Sequence, residues 1–190
     1  MFPVEAFENT IGKFVAIAEA IALPFHITGG SISSAYGEPR LTQDIDIVVA
    51  PDVARIRLDD LIAQLACSDF LFTERVLRQA VQSGNLFQLL DKTESLKLDI
   101  YPRELIPGEL QRSQTMELFP GVFLPVVSRT DAAISKLIWI DKGSLRSRRD
   151  FRSIFRSGSE TQQTDIRVQA EKIRLRELLE EVLSESDEIR

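Results

Sequence analysis

The stretch Phe25-His26-Ile27-Thr28-Gly29-Gly30-Ser31, followed at residue 44 by Asp44-Ile45-Asp46-Ile47-Val48-Val49, decides how this chain is read. The second run, rich in Ile and Val, has the pattern of a buried strand. Strand side chains alternate between faces, so Asp44 and Asp46, two apart, point the same way.

Two adjacent carboxylates repel each other, and burying them unpaired is costly. A divalent cation removes that cost, and Mg²⁺ is typically held by one or two carboxylates together with substrate phosphates. The upstream turn supplies a second half to such a site. Glycines let backbone approach a ligand closely, and Ser31 at a helix start sets a hydroxyl beside free N–H groups, a cradle for phosphate. A third acid, Asp99, lies in the strand-like run Leu96-Lys97-Leu98-Asp99-Ile100-Tyr101. If that strand lies beside the first, three carboxylates converge, the arrangement that holds two metals across a phosphoryl displacement.

Working outward, residues 4–23 carry apolar side chains at near-helical spacing, closed by Pro24. Residues 25–28 read as a strand, 31–36 as a short helix and 37–39 as a loop. A strand over 44–50 ends at Pro51, and Asp52 caps a helix over 53–66. A short strand follows at 70–72. Residues 86–90 and 96–101 form a hairpin around the polar turn 91–95. Residues 103–115 read as irregular, and 122–127 as a strand whose Pro125 predicts an edge or a bend. Helices are expected from 128 to about 140, over 145–156 and over 166–183. Mixed strands and helices followed by helices alone make an α+β chain, a catalytic half at 1–127 and a helical C-terminal part at 128–190.

The chain has 190 residues, 44% of them hydrophobic, enough for a real core. Its start lacks the basic region of a signal peptide, and no apolar run reaches the ~18 residues of a membrane span. A single cysteine, Cys67, excludes an internal disulfide and suits a cytoplasmic location. The net charge of −6 is not the global footprint of a nucleic-acid binder, which leaves only a local basic patch for RNA. Arg148, Arg152 and Arg156 share one helical face, read chiefly as a solvated stripe pairing with the acidic tail. His26 reads as structural, and Cys67 and Trp139 as core or near-core residues.

These residues resemble the polymerase β-like nucleotidyltransferase superfamily, and within it the small bacterial AbiEii/AbiGii-type toxin nucleotidyltransferases. The likeness rests on Ile27-Thr28-Gly29-Gly30-Ser31 and on Gly37-Glu38-Pro39-Arg40-Leu41-Thr42-Gln43-Asp44-Ile45-Asp46, where Gly37, Arg40, Thr42, Asp44 and Asp46 fit the family segment. It implies a nucleotidyltransferase-type mixed sheet with flanking helices. It implies Asp44, Asp46 and Asp99 as catalytic metal ligands for two Mg²⁺ ions, and an NTP held by Gly29, Gly30, Ser31, Arg40 and Thr42. Lys136 would contact its phosphates, and Asp150 would belong to the nucleotide-binding set, either orienting the substrate or acting from behind the residues that touch it. The implied reaction moves an NMP to a hydroxyl, on a tRNA 3′ end or a partner protein, in a toxin–antitoxin or related defence system with an antitoxin as partner. A catalytically silent nucleotide-binding or protein-docking module of the same fold is the rival reading.

Overall fold

The computed structural model describes residues 3–38 and 44–185 of the chain. Helix α1 (Val4–Ala20) buries Ile11, Phe14, Ile17 and Ala18 along one face. It ends before the apolar spacing does, because the Leu23 N–H turns back to the Ala18 carbonyl at 2.8 Å with Ala22 at φ +51°. Strand β1 (Phe25–Thr28) runs directly into helix α2 (Gly29–Tyr36), which begins at the first glycine of the pair. Strand β2 (Asp44–Val49) follows, and Pro51 opens two short helices instead of one, α3 (Pro51–Ile56) and α4 (Leu58–Ala66). Strand β3 (Phe70–Leu71) is only a stub.

Helix α5 (Glu74–Ser83) has no counterpart among the expected elements, although Leu77, Ala80 and Val81 bury one face and left-handed Gly84 closes it. The hairpin forms as read, from β4 (Phe87–Asp91) and β5 (Lys97–Tyr101). The stretch expected to be irregular instead holds a 3₁₀ turn at Leu110–Arg112 and the start of strand β6 (Gln114–Phe119), which pairs with β7 (Val122–Val126). Helices α6 (Arg129–Asp141) and α7 (Arg146–Arg156) stand where the spacing puts them. The single last helix expected is two, α8 (Glu160–Lys172) and α9 (Arg176–Ser184), divided where Arg174 takes φ +62°. A capping box of Ser159 and Gln162 starts α8 six residues before the position expected from apolar spacing.

Among the described residues the strands form one mixed sheet in the order β3-β4-β5-β2-β1-β7-β6. The acid-bearing β2 is therefore central, antiparallel to β1 and parallel to β5. Pro125 does not make β7 an edge, since β7 lies between β1 and β6. The proline is accommodated because β7 meets β1 only at its end, where Val126 stands opposite Ile27 and the Val127 N–H donates to the Ile27 carbonyl at 2.9 Å. The core runs through both halves of the chain, from Phe14, Ile45 and Leu98 to Leu137, Phe151 and Leu179. Cys67, expected near the core, is exposed at the end of α4.

Candidate active site

Alternation along β2 sends Ile45, Ile47 and Val49 into the core, each fully buried, and leaves Asp44 and Asp46 on the opposite face. In β5, Leu98 and Ile100 are buried in the same way. The parallel register places Asp46 opposite Asp99, Asp44 opposite Lys97 and Val48 opposite Tyr101. Adjacent strands lie ~4.8 Å apart, and paired residues project to the same face. Asp99 thus stands beside Asp46 on the face that carries Asp44.

The three acids are held differently. Tyr101 donates its hydroxyl to Asp46 Oδ1 at 3.2 Å. Burial and the nearby Asp44 push Asp46 above the usual carboxylate range, with Asp99 adding to the rise, against the Tyr101 hydroxyl and the Gly30 N–H. Burial and these same carboxylates drive the Tyr101 phenol upward, which keeps it protonated and donating. Asp99, by contrast, accepts from Gln88 Nε2 and from Lys97 Nζ, each at 3.1 Å.

The glycine turn packs directly on the acids. Gly29 has φ +72°, and a Cβ built there would lie 1.8 Å from Asp46 Oδ2. The first turn of α2 has no side-chain cap, and its residues Gly29 and Gly30 line a hollow of about 260 Å³ together with Thr28, Asp44, Asp46 and Tyr101. Lys136, from α6, reaches the same hollow. Its ammonium lies 3.0 Å from Asp150 Oδ2 of α7, a pair only 11% and 7% exposed. Asp150, expected in the nucleotide-binding set, is not among the lining residues; it is paired with Lys136, which is. Ser31 is also outside the lining, its hydroxyl directed to the Thr28 carbonyl at 3.4 Å. Gly37 packs on Ser153 of α7, whose Oγ accepts the Glu38 N–H at 2.6 Å. Arg40 and Thr42 lie outside the described residues.

The donor set suits a hard divalent cation shared with phosphate. Asp44 and Asp46 lie on one face of one strand, and Mg²⁺ relies on one or two carboxylates, completing its shell with substrate oxygens and water. Among the described residues no group of three His, Cys, Asp or Glu, the expected set of Asp44, Asp46 and Asp99 included, is arranged to hold an ion.

Several wall residues were not singled out for this site by sequence. Arg103, two residues beyond Tyr101, Glu109 and Arg146 all line the hollow. Trp139 is a correction. Flanked by Ile138 and Ile140 it reads as core, yet it is 41% exposed and faces the hollow. The period-2 signal in β5 identifies Tyr101 as a neighbour of Asp99. Nothing local identifies Glu109, which lies in a loop. The arginine stripe pairs with the acidic tail, Arg148 with Glu181 at 3.0 Å and both Arg148 and Arg152 with Glu185, but it is not the solvated face expected, since Arg152 is buried. His26 is fully buried, with Nδ1 2.7 Å from Ser113 Oγ, in keeping with a structural role.

No curated protein sequence matches the chain significantly. Among solved structures, the solution structure of the antibiotic-resistance factor ANT(2'')-Ia aligns with a TM-score of 0.58 and 16% identity, over 95% of this chain and 99% of that one. An antigenic nucleotidyltransferase-like protein from Paracoccidioides brasiliensis aligns at 0.57 and 19% identity, over 96% and 94%. The lincosamide antibiotic adenylyltransferase LnuA, solved with lincomycin, aligns at 0.50 and 12%, over 80% and 96%. These likenesses establish a shared fold. The family model for the nucleotidyl transferase AbiEii toxin of type IV toxin–antitoxin systems matches residues 22–182, most of the chain. The chain belongs to the AbiEii toxin family and is a nucleotidyltransferase.

Proposed function

We propose that the chain transfers a nucleoside monophosphate from an NTP to a hydroxyl acceptor with Mg²⁺, as the toxin of a cytoplasmic toxin–antitoxin pair. The reading rests above all on one observation, the register that sets Asp99 beside Asp46 while Gly29 packs against the Asp46 carboxylate. Asp44 and Asp46 would hold the metal, in the two-ion arrangement expected of the superfamily, with Asp99 contributing from the neighbouring strand. When bound, the ions supply neutralisation of phosphoryl charge and ease deprotonation of the acceptor.

The protein's own groups account for the rest. Gly29 and Gly30 present the N-terminal end of α2 to the β- and γ-phosphates, with Ser31 in the same turn. Lys136, fixed by Asp150, adds positive charge at one wall, and Arg40 and Thr42 belong to the same nucleotide-binding set. The acceptor oxygen attacks the α-phosphorus, the bond from that phosphorus to the bridging oxygen breaks, and pyrophosphate departs with the electron pair. The hydroxyl proton passes to the Asp99 carboxylate, which Gln88 and Lys97 hold in place. Residues 1–127 form the catalytic unit in this reading, and residues 128–190 a helical part that lends it Lys136.

The acceptor is a tRNA 3′ end or a partner protein, with the antitoxin as a binding partner. Incubating the chain with each α-labelled NTP, Mg²⁺ and either total RNA or co-purifying protein will show which one takes the label. Asp44→Ala/Asp46→Ala is expected to be inert. Undiminished labelling by that variant would remove the carboxylates from the reaction. Nucleotide binding by the parent without transfer to any acceptor would favour the silent module.

A further inference from the structure

The hollow that holds Asp44 and Asp46 is also lined by a tryptophan, Trp139. Trp139 stands three residues past Lys136 and four past Ser135 on α6, and all three line the hollow. At 1.5 Å per residue, Trp139 sits nearly one turn beyond Lys136 along the helix axis. Ser144, Arg146 and Ser147, from the corner between α6 and α7, continue the wall past the indole. Lys142, which does not line the hollow, holds its ammonium 5.1 Å from the ring centroid. Trp139 is 41% exposed as a residue, with Lys142 over its ring, and it lines the hollow where an NTP's phosphates would be bound.

We propose that Trp139 is the stacking platform for the nucleobase of the NTP, the base being taken by its face. This assignment rests on the nucleotidyl-transfer reading and deepens it. With the β- and γ-phosphates at Gly29 and Gly30 and the α-phosphate at the carboxylates, the base meets the rest of the lining, where the aromatic rings are Tyr101, whose hydroxyl is held by Asp46, and Trp139. An aromatic face is tolerant of base identity because every base offers a π surface. Trp139 therefore contributes affinity shared by all four nucleotides, and any preference among them comes from the polar groups at the α6–α7 corner.

Trp139 is the only tryptophan, so its emission reports on this wall alone. The full chain is titrated in Mg²⁺ with ATP, with CTP and with inorganic tripolyphosphate, and affinities are measured separately by equilibrium dialysis. Both nucleotides are expected to change the emission. Tripolyphosphate is expected to compete with them while leaving the emission nearly unaltered. Trp139→Ala should weaken both nucleotides roughly 10- to 100-fold, as loss of one base–aromatic stack does, and leave tripolyphosphate within about twofold. Trp139→Phe should recover most of the loss. Equal weakening of nucleotide and tripolyphosphate, or undiminished nucleotide affinity in Trp139→Ala, overturns the platform while leaving nucleotidyl transfer standing. A parent chain that binds neither nucleotide nor tripolyphosphate overturns the transfer reading, and the platform with it.

Discussion

Gly29 joins two requirements that no other residue type meets together. Its φ of +72° is left-handed, and its missing side chain leaves the space that the Asp46 carboxylate fills. Gly29→Ala must therefore displace Asp46 or unwind the start of α2. Label transfer is expected to fall at least ~100-fold, with about 1–3 kcal/mol lost in stability from backbone strain. Near-parental transfer would mean that the close approach is incidental. Glu109 offers a second test at this scale. It is 2% exposed, and burial raises its pKa to about 7 despite the Leu105 and Ile106 N–H groups, which hold it down. The folded chain binds this proton more tightly than the unfolded one, so the stability it contributes is complete below about pH 4.5 and lost as pH rises through 7. His26 has the opposite slope, because burial lowers it to about 4, and its contribution is lost as pH falls through that value. The two offset each other over much of the interval between. Glu109→Gln removes the first and takes the carboxylate from beside His26 Nε2, 4.0 Å away, so relative to the parent it should gain stability, on the order of 2 kcal/mol, between pH 5 and pH 8. Urea midpoints at the two pH values measure this, and a constant difference would contradict it. Asp44, Asp46 and Asp99 are legible in sequence because strand alternation tells which way each points. Glu109 is not, because it lies in an irregular loop and is buried against His26 of the distant strand β1.

The strands that decide the site show period-2 alternation strongly enough to be read one by one, and so does the hairpin of β4 and β5. Two elements escape for different reasons. Helix α5 is short, and its charged face dilutes the apolar pair Leu77 and Val81 that packs inward. Strand β6 carries mostly exposed or half-buried side chains, so its apolar signal is weak, and it exists because β7 provides a ladder for it. The loop between β4 and β5 is secured by a long-range tie that local pattern does not reveal. Asp91 is fully buried and accepts from Thr10 Oγ1 at 2.9 Å, from Lys13 Nζ at 2.9 Å and from the Thr93 N–H at 2.9 Å. Burial alone would raise its pKa, but Lys13 and the other donors outweigh it and hold the group below the usual range. The stability it lends is therefore present above about pH 4, its unfolded value, and lost as pH falls through the lower folded one. Asp91→Ala would leave buried donors unsatisfied and untie α1 from the hairpin, at about 3 kcal/mol near neutral pH. Chemical denaturation at pH 7 and at pH 3 should show that cost shrinking with acid, and an unchanged cost would assign it to packing alone.

At the scale of the molecule, the charged C-terminal region reads in sequence as a solvated helix or a partner surface, and the structure gives it more to do. Ile166, Ala170, Leu179 and Val182 of α8 and α9 are fully buried in the same core as the sheet. Three acids in and just after α9 are engaged internally, Glu181 and Glu185 on the arginines of α7, and Glu180 on Arg167 and Arg176. Helix α7 in turn carries Asp150, which holds Lys136 at the hollow. A chain ending at Gly158 would lose those four buried side chains, and Ile166, Leu179 and Val182 alone each contribute about 1.5–3 kcal/mol. Their sum approaches the whole stability of a domain of this size. Such a truncation is expected to unfold or aggregate, abolishing nucleotide binding and transfer together. A gentler variant separates support from docking. Arg148→Ala/Arg152→Ala removes the cations that hold Glu185 and leaves the apolar face of α9 intact. It should lower the melting temperature by several degrees and weaken Mg²⁺-nucleotide binding, because α7 then holds Asp150 and Lys136 less firmly. A folded, nucleotide-binding chain ending at Gly158 would show instead that α8 and α9 are a detachable partner surface.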